Sequence, residues 1–360
     1  MIRADLAALP DYVPGSRMQG ALKLSSNESS YQPLPSVVLA MQAAATQTNR
    51  YPDMTSTALI DALASRLDLP ASQVAVGCGS SALCQQLVQI TCANASDEVV
   101  FPWRSFEGYP IFVQVAGATP VPVPLTSDHR MDLAAMAAAI TSNTRLIFVC
   151  NPNNPTGTVV TEAEFQEFMA AVPADVIVAL DEAYFEYLRT TDTPLAHTLI
   201  RNHKNLVGLR TFSKAFGLAG ARVGYAFGPA NIMSALNKVA IPFGVNSIAQ
   251  AGALASLDAY DEILHRTNEV IFERDRVSTA LGTPDSQANF VWLPSASLPE
   301  SPADIAEYFA DHKILVRCFP EGIRVTVTTP TEMDQLIAAW EAITSGESAH
   351  ATTIPSSPLP

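Results

Sequence analysis

The chain of 360 residues is 48% hydrophobic and carries 21 Lys and Arg against 35 Asp and Glu, a formal charge of −14. It is long and apolar enough for a large core and two lobes, which excludes a disordered or fibrous chain, and its acidity argues against a nucleic-acid footprint or an anionic membrane as partner. Five cysteines, Cys78, Cys84, Cys92, Cys150 and Cys318, have no CxxC pairing and no clustered histidines, so neither a metal site nor a disulfide framework is expected; Cys84 and Cys92 read as core thiols.

The first segment, MIRADLAALPDYVPG, lacks the basic stretch and apolar run of a signal peptide, and no apolar span of about 18 residues follows, so a cytoplasmic protein is expected. Residues 1–30, punctuated by Pro10, Pro14, Gly15 and Gly20, read as an ordered arm rather than a helix. Periodicity then predicts helices over 35–47 and 57–68, a strand over 73–79, a helix over 81–92 and a strand over 97–102. A helix over 105–115, the extended ATPVPVPL over 118–125, a helix over 132–140 and a strand over 144–150 follow. Next come a helix over 161–171 and strands over 175–181, 205–213 and 222–228. Apolar strands interleaved with helices indicate an α/β sheet covered on both faces. After a helix over 229–239 and the break IPFG, a long helical region over 246–281 precedes an extended 288–294, a helix over 301–311, extended 313–319 and 322–329, and a helix over 331–344. The expected organisation is an arm (1–30), a large domain (31–245), a smaller α+β domain (246–345) and a polar, proline-bearing tail (346–360) without order.

With so few basic residues, Lys214 in RTFSKAFGLAGARVGY stands out. A lysine amine can form a Schiff base when part of it is neutral and held against a carbonyl. Thr211 and Ser213 offer hydroxyls and Arg222 a planar fork, a set that suits a phosphate, although a loop lysine alone is more often simply solvated. Asp181 ends the apolar run DVIVALD, where a carboxylate needs a cationic or hydrogen-bonding partner such as a pyridinium nitrogen, or else caps the next helix. Tyr184 lies three residues on, and Asn154 sits in CNPNNPTG, a turn at the carboxyl edge of the sheet where open α/β folds bind ligands. VGCGSSALCQQ places Ser80 and Ser81 where a glycine turn opens a helix and free amides face an anion; it matches neither the P-loop nor the dinucleotide fingerprint.

NPNNPTG, DEAY and RTFSKAFGLAGARVGY, in this order and spacing, resemble the fold-type I pyridoxal-phosphate aminotransferases, in particular the histidinol-phosphate branch and its actinobacterial phenylalanine or aromatic relatives. The resemblance runs from KLSSNESSYQPLP to GIRVTVTTPTEMD, nearly the whole chain. It implies a mostly parallel seven-stranded sheet flanked by helices, a smaller C-terminal domain, and pyridoxal 5′-phosphate as cofactor. Lys214 matches the lysine that holds the cofactor and then moves the proton, Asp181 the partner of the ring nitrogen, and Asn154 and Tyr184 the pair at the ring hydroxyl. Ser80, Ser81, Thr211, Ser213 and Arg222 match phosphate ligands. Tyr51 matches a tyrosine lent to the neighbouring subunit, implying a homodimer. Phe106 matches the aromatic stacked on the ring, where tyrosine is more usual. Asn27, Tyr109 and Asn154 fall on the substrate side, Arg324 matches the arginine for the substrate carboxylate, and Arg317 a second arginine at the far end of the substrate.

The segment FPWRSFEGYPIF brings Trp103, Phe106 and Tyr109 toward the pocket, which favours phenylalanine and tyrosine with a 2-oxo acid such as 2-oxoglutarate in a ping-pong cycle. Histidinol phosphate is the alternative, with Arg317 meeting its phosphate. A decarboxylase, lyase or racemase would keep Lys214 and Asp181 and alter the substrate side, where the match at Arg324 favours transamination without excluding them, and a regulatory domain would need a DNA-binding segment.

Overall fold

The computed structural model describes residues 9, 15 and 18–345. Most of the arm before residue 18 and the tail 346–360 lie outside the described residues, so the expected disorder of the tail is not addressed.

Seven strands, counted after Leu22–Lys23 (β1), form the main sheet: Val74–Gly77 (β2), Glu98–Trp103 (β3), Thr119–Pro124 (β4), Thr144–Cys150 (β5), Ile177–Asp181 (β6), Leu206–Thr211 (β7) and Gly224–Phe227 (β8). Their order is β2-β8-β7-β6-β5-β3-β4. Only β8 runs against its neighbours, so the carboxyl ends of the other six share one edge. Strand alternation divides the core by face: Ile147, Val149, Val178 and Leu180 join the larger apolar cluster, while Leu146, Phe148, Cys150 and Ala179 join the second. Both faces are buried, as expected for parallel strands with continuous apolar sequence.

The outer strand β4, TPVPVP, is edge-blunted by its own sequence. Thr119 donates to the Asp97 carbonyl just before β3 and Leu125 to the Trp103 carbonyl at its end, so in a parallel ladder the same-parity Val121 and Val123 face β3 and Pro120, Pro122 and Pro124 turn their missing N–H outward.

In the C-terminal part, Phe290–Pro294 (β9), Arg317–Phe319 (β11) and Gly322–Thr326 (β12) form an antiparallel sheet in the order β11-β12-β9. Ile314–Leu315 (β10) instead pairs in parallel with β1, so the arm is stitched to the far end of the chain. The single extended segment expected over 313–319 is therefore two strands, divided at Val316 because each half has a different partner. The helix expected over 246–281 likewise divides at Ala259 into Ser247–Asp258, which packs on Pro35–Ala45, and Tyr260–Leu281, which packs on β9 and on Pro330–Ser345. No glycine or proline marks that break; the two destinations impose it.

Candidate active site

A cavity of about 540 Å³ opens at the shared carboxyl edge of the sheet. Five of the six strands ending there contribute, β4 alone among them adding no lining residue: Ser80 and Ser81 follow β2, Phe106 follows β3, Cys150 and Asn154 lie at and beyond the end of β5, and Asp181 and Tyr184 at and beyond the end of β6. Thr211, Ser213 and Lys214 follow β7, Arg317 and Arg324 come from β11 and β12, and Ser25 to Glu28 reach in from the arm.

Asp181 ends β6 in register with Cys150 and is buried. One carboxylate oxygen accepts the Tyr109 hydroxyl at 2.8 Å and the other the Ala183 amide at 3.2 Å. Burial pushes its pKa up to about 6 against these two hydrogen bonds, which favour the anion. Glu182, one residue on, takes the opposite face: it accepts Arg210 Nε at 2.8 Å and the Ala196 amide at 2.7 Å. This buried pair ties the end of β6 to β7, and among the described residues no guanidinium pairs with Asp181. Lys214 lies across the cavity, its Nζ 3.4 Å from the Ser26 carbonyl and 5.8 Å from the Tyr184 ring centre. Desolvation, then the Arg324 charge, lowers its pKa to about 8, with Arg222 acting in the same direction and Glu28 and Asp181 opposing. Tyr184 accepts the Asn27 amide at 2.9 Å, and burial raises its phenol pKa.

An anion cradle forms where the β2 turn meets the loop after β7. Gly79 precedes the helix Ser80–Thr91 with φ +82°, a backbone that side chains resist, and a Cβ there would stand 2.6 Å from the Arg222 guanidinium. A Cβ on Gly224 would meet the Ser80 amide nitrogen at 2.5 Å. Arg222 donates to Ser213 Oγ at 3.3 Å and to the Ala219 carbonyl at 2.9 Å. The helix N-terminus, three serines, Thr211 and Arg222 thus converge on one end of the cavity.

At the other side Arg324 is buried, donating to Asn154 Oδ1 and the Ser25 carbonyl. Asn27 joins arm to lobe: its backbone N–H donates to Thr326 Oγ1 at 2.9 Å, the Thr326 hydroxyl donates back to its Oδ1 at 3.1 Å, and its carbonyl accepts from Asn289 at 3.3 Å. Its φ of +53° turns the arm inward at this point. Phe106, Ile111 and Phe112 make an apolar wall, and Gly108 lets the two rings approach, since a Cβ there would meet Phe106 at 2.6 Å and Phe112 at 2.9 Å.

Two expectations need correction. Tyr109 does not line the substrate side: it is fully buried beneath the cavity, its ring stacked on Phe148 at 4.4 Å, because its hydroxyl follows Asp181. Trp103 is not among the lining residues; its ring lies 6.2 Å edge-on to Phe101, with Arg104 over it at 4.4 Å. Tyr51 also stands outside its own chain's cavity, 81% exposed and stacked on Phe243 at 4.5 Å. Sequence reasoning missed Glu28, Glu107, Ile111 and Phe112 as lining residues. Ile111 and Phe112 were within reach, lying one turn into the helix Gly108–Ala116 that follows Phe106, whereas Glu107 acquires meaning only from Arg317, which donates to it at 2.7 Å across 210 positions.

Among the described residues, no group of three or more His, Cys, Asp or Glu is placed to hold a metal ion, and no helix is long and apolar enough to cross a membrane. The sequence profile of the family described as aminotransferase class I and II matches residues 19–339. An aromatic amino acid aminotransferase of Corynebacterium diphtheriae is 65% identical to this chain, over 95% of it and 99% of the relative. Another, of Mycobacteroides abscessus, is 54% identical over 94% and 99%. Among solved structures, histidinol-phosphate aminotransferase of Sinorhizobium meliloti in complex with pyridoxal-5′-phosphate has a TM-score of 0.86 at 30% identity, covering 96% of this chain and 98% of that one.

Proposed function

The chain belongs to the class I and II aminotransferases, and from that premise we propose that it moves the amino group between an aromatic L-amino acid, phenylalanine or tyrosine, and a 2-oxo acid such as 2-oxoglutarate. Family membership and the cofactor complex of the Sinorhizobium meliloti neighbour imply dependence on pyridoxal 5′-phosphate. The donor set fits that group: an amine of depressed pKa, a buried carboxylate in no ion pair among the described residues, and an anion cradle that glycines keep open. When bound, the cofactor supplies an electron-withdrawing ring that takes up the electrons left at Cα.

Ser80, Ser81, Thr211, Ser213 and Arg222 would grip the phosphate, and the carboxylate of Asp181 would hold the proton on the ring nitrogen. Tyr109 and the Ala183 amide fix that carboxylate from behind. Asn154 and Tyr184 would serve the ring hydroxyl and Phe106 its face. Lys214, partly neutral near neutral pH because its pKa is about 8, would attach the cofactor and, once freed, would serve as the base that takes the Cα proton and gives it back. Arg324 would take the substrate carboxylate in a bidentate fork. Tyr51 and Phe243, with Met54 and Ile241 exposed on the same segments, support a homodimer in which Tyr51 completes the partner's phosphate site.

The observation that carries the aromatic reading is the wall of Phe106, Ile111 and Phe112 facing the cavity, together with the pairing of Arg317 to Glu107. A phenyl ring would bury against that wall with Arg317 already neutralised by Glu107. Turnover of phenylalanine and of histidinol phosphate, each with 2-oxoglutarate, tests it. A kcat/KM at least about tenfold higher for phenylalanine is expected; a preference for histidinol phosphate would replace the aromatic reading with the alternative.

A further inference from the structure

Two ion pairs of opposite sense bridge the loop after β3 and the β11–β12 hairpin. Arg104 donates to Glu321 through Nε and Nη2, both at 3.1 Å, a two-point fork. Arg317 donates to Glu107 through Nη2 alone, at 2.7 Å. Both guanidiniums stand over the Phe319 ring, at 5.4 and 5.6 Å. They differ in where they sit: Arg317 and Glu107 line the cavity, whereas Arg104 and Glu321 do not.

From this contrast we infer that Arg104–Glu321 is the fixed clasp, and that Glu107 is an exchangeable counter-ion that decides whether the cavity receives a neutral ring or a second carboxylate. This rests on the transamination reading above, in which one cavity takes an aromatic acid in one half-reaction and an acid with a distal carboxylate in the other. With a ring in place, Glu107 neutralises Arg317, so no uncompensated cation faces the apolar wall of Phe106 and Phe112. With a dicarboxylic acid in place, Arg317 releases its one contact to Glu107 and takes the distal carboxylate. One ion pair replaces another. The released Glu107 stays favourably placed, because it is the residue before the helix Gly108–Ala116 and its side chain is 30% exposed to water. Glu107 is therefore a specificity-determining residue.

The test is binding of two unreactive acids to the holoenzyme, followed by the cofactor absorbance: glutarate, which has a distal carboxylate, and hydrocinnamate, which has a phenyl ring. Glu107→Gln keeps an acceptor for Arg317 but removes the charge. It is expected to tighten glutarate about five- to tenfold, the worth of one partly exposed ion pair, and to move hydrocinnamate by less than about twofold. Arg317→Gln is expected to abolish the gain when combined with it. An unchanged glutarate affinity in Glu107→Gln, or equal changes for both acids, overturns the exchange whatever hydrocinnamate does in the unaltered protein. If hydrocinnamate fails to bind that protein while glutarate still tightens in the variant, the exchange stands and the aromatic reading falls.

Discussion

Asp181 is held in two ways that pull against each other. Burial favours its neutral form, and two hydrogen bonds from fixed donors favour the anion. Burial outweighs the hydrogen bonds and the more distant Lys214 charge, so its pKa lies near 6 rather than the ordinary 3.8 and the folded, cofactor-free protein binds the extra proton between those values. Its favourable contribution is present below pH 4 and is lost as pH rises through about 6. Asp181→Asn should therefore raise the stability of the cofactor-free protein by about 3 kcal/mol at pH 7.5 and change it little near pH 4, read by thermal melts at both values. The same substitution should cost the loaded enzyme orders of magnitude in kcat, which separates a functional carboxylate from a structural one. Tyr109→Phe removes one of the two anion-favouring bonds without opening a cavity. It is expected to lower kcat about tenfold while KM for phenylalanine moves less than twofold, since Tyr109 touches no substrate. For Lys214 the sign is reversed: its neutral amine, the form its proposed role uses, accumulates above pH 8, so capture of pyridoxal phosphate by the cofactor-free protein should quicken as pH rises through about 8 and then level off.

At the scale of elements, the site is a set of strand ends, which is why so much of it was legible. An apolar run ending in a chemically committed residue marks Asp181 and Thr211, and alternation then sends Asp181 to one face and Glu182 to the other. The turn chemistry of GCGSS was equally readable. Gly79 combines φ +82° with a neighbouring guanidinium where a Cβ would sit. Gly79→Ala should weaken pyridoxal phosphate affinity about tenfold or more, measured by cofactor retention on dialysis, through backbone strain and displacement of Arg222. What the sequence could not reveal was set by distant partners. Tyr109 looked like a substrate contact because helical spacing puts it one turn from Phe106, but nothing local records that Asp181, 72 positions away, claims its hydroxyl. The division of 246–281 at Ala259 and of 313–319 at Val316 likewise follows from which element each half packs against.

The whole molecule is organised so that the small C-terminal sheet and the arm are built together around the cavity. β1 pairs with β10, the Leu24 carbonyl accepts from Thr326, and Asn27 links Thr326, Asn289 and Tyr184. The cavity-lining residues of the hairpin and of the main sheet are thus registered through one arm residue. Asn27→Ala is expected to destabilise the protein by about 2 kcal/mol, since it orphans several buried polar groups, and to raise KM for both substrates together. The direct trial of the central claim, that Lys214 holds pyridoxal phosphate and surrenders it to an aromatic amino donor, is borohydride reduction of the purified holoenzyme followed by peptide mass mapping. The resting enzyme should carry the phosphopyridoxyl group on the peptide containing Lys214, and prior addition of phenylalanine without an acceptor should remove it. Label on another lysine, no label, or label at Lys214 that phenylalanine leaves untouched would contradict the account.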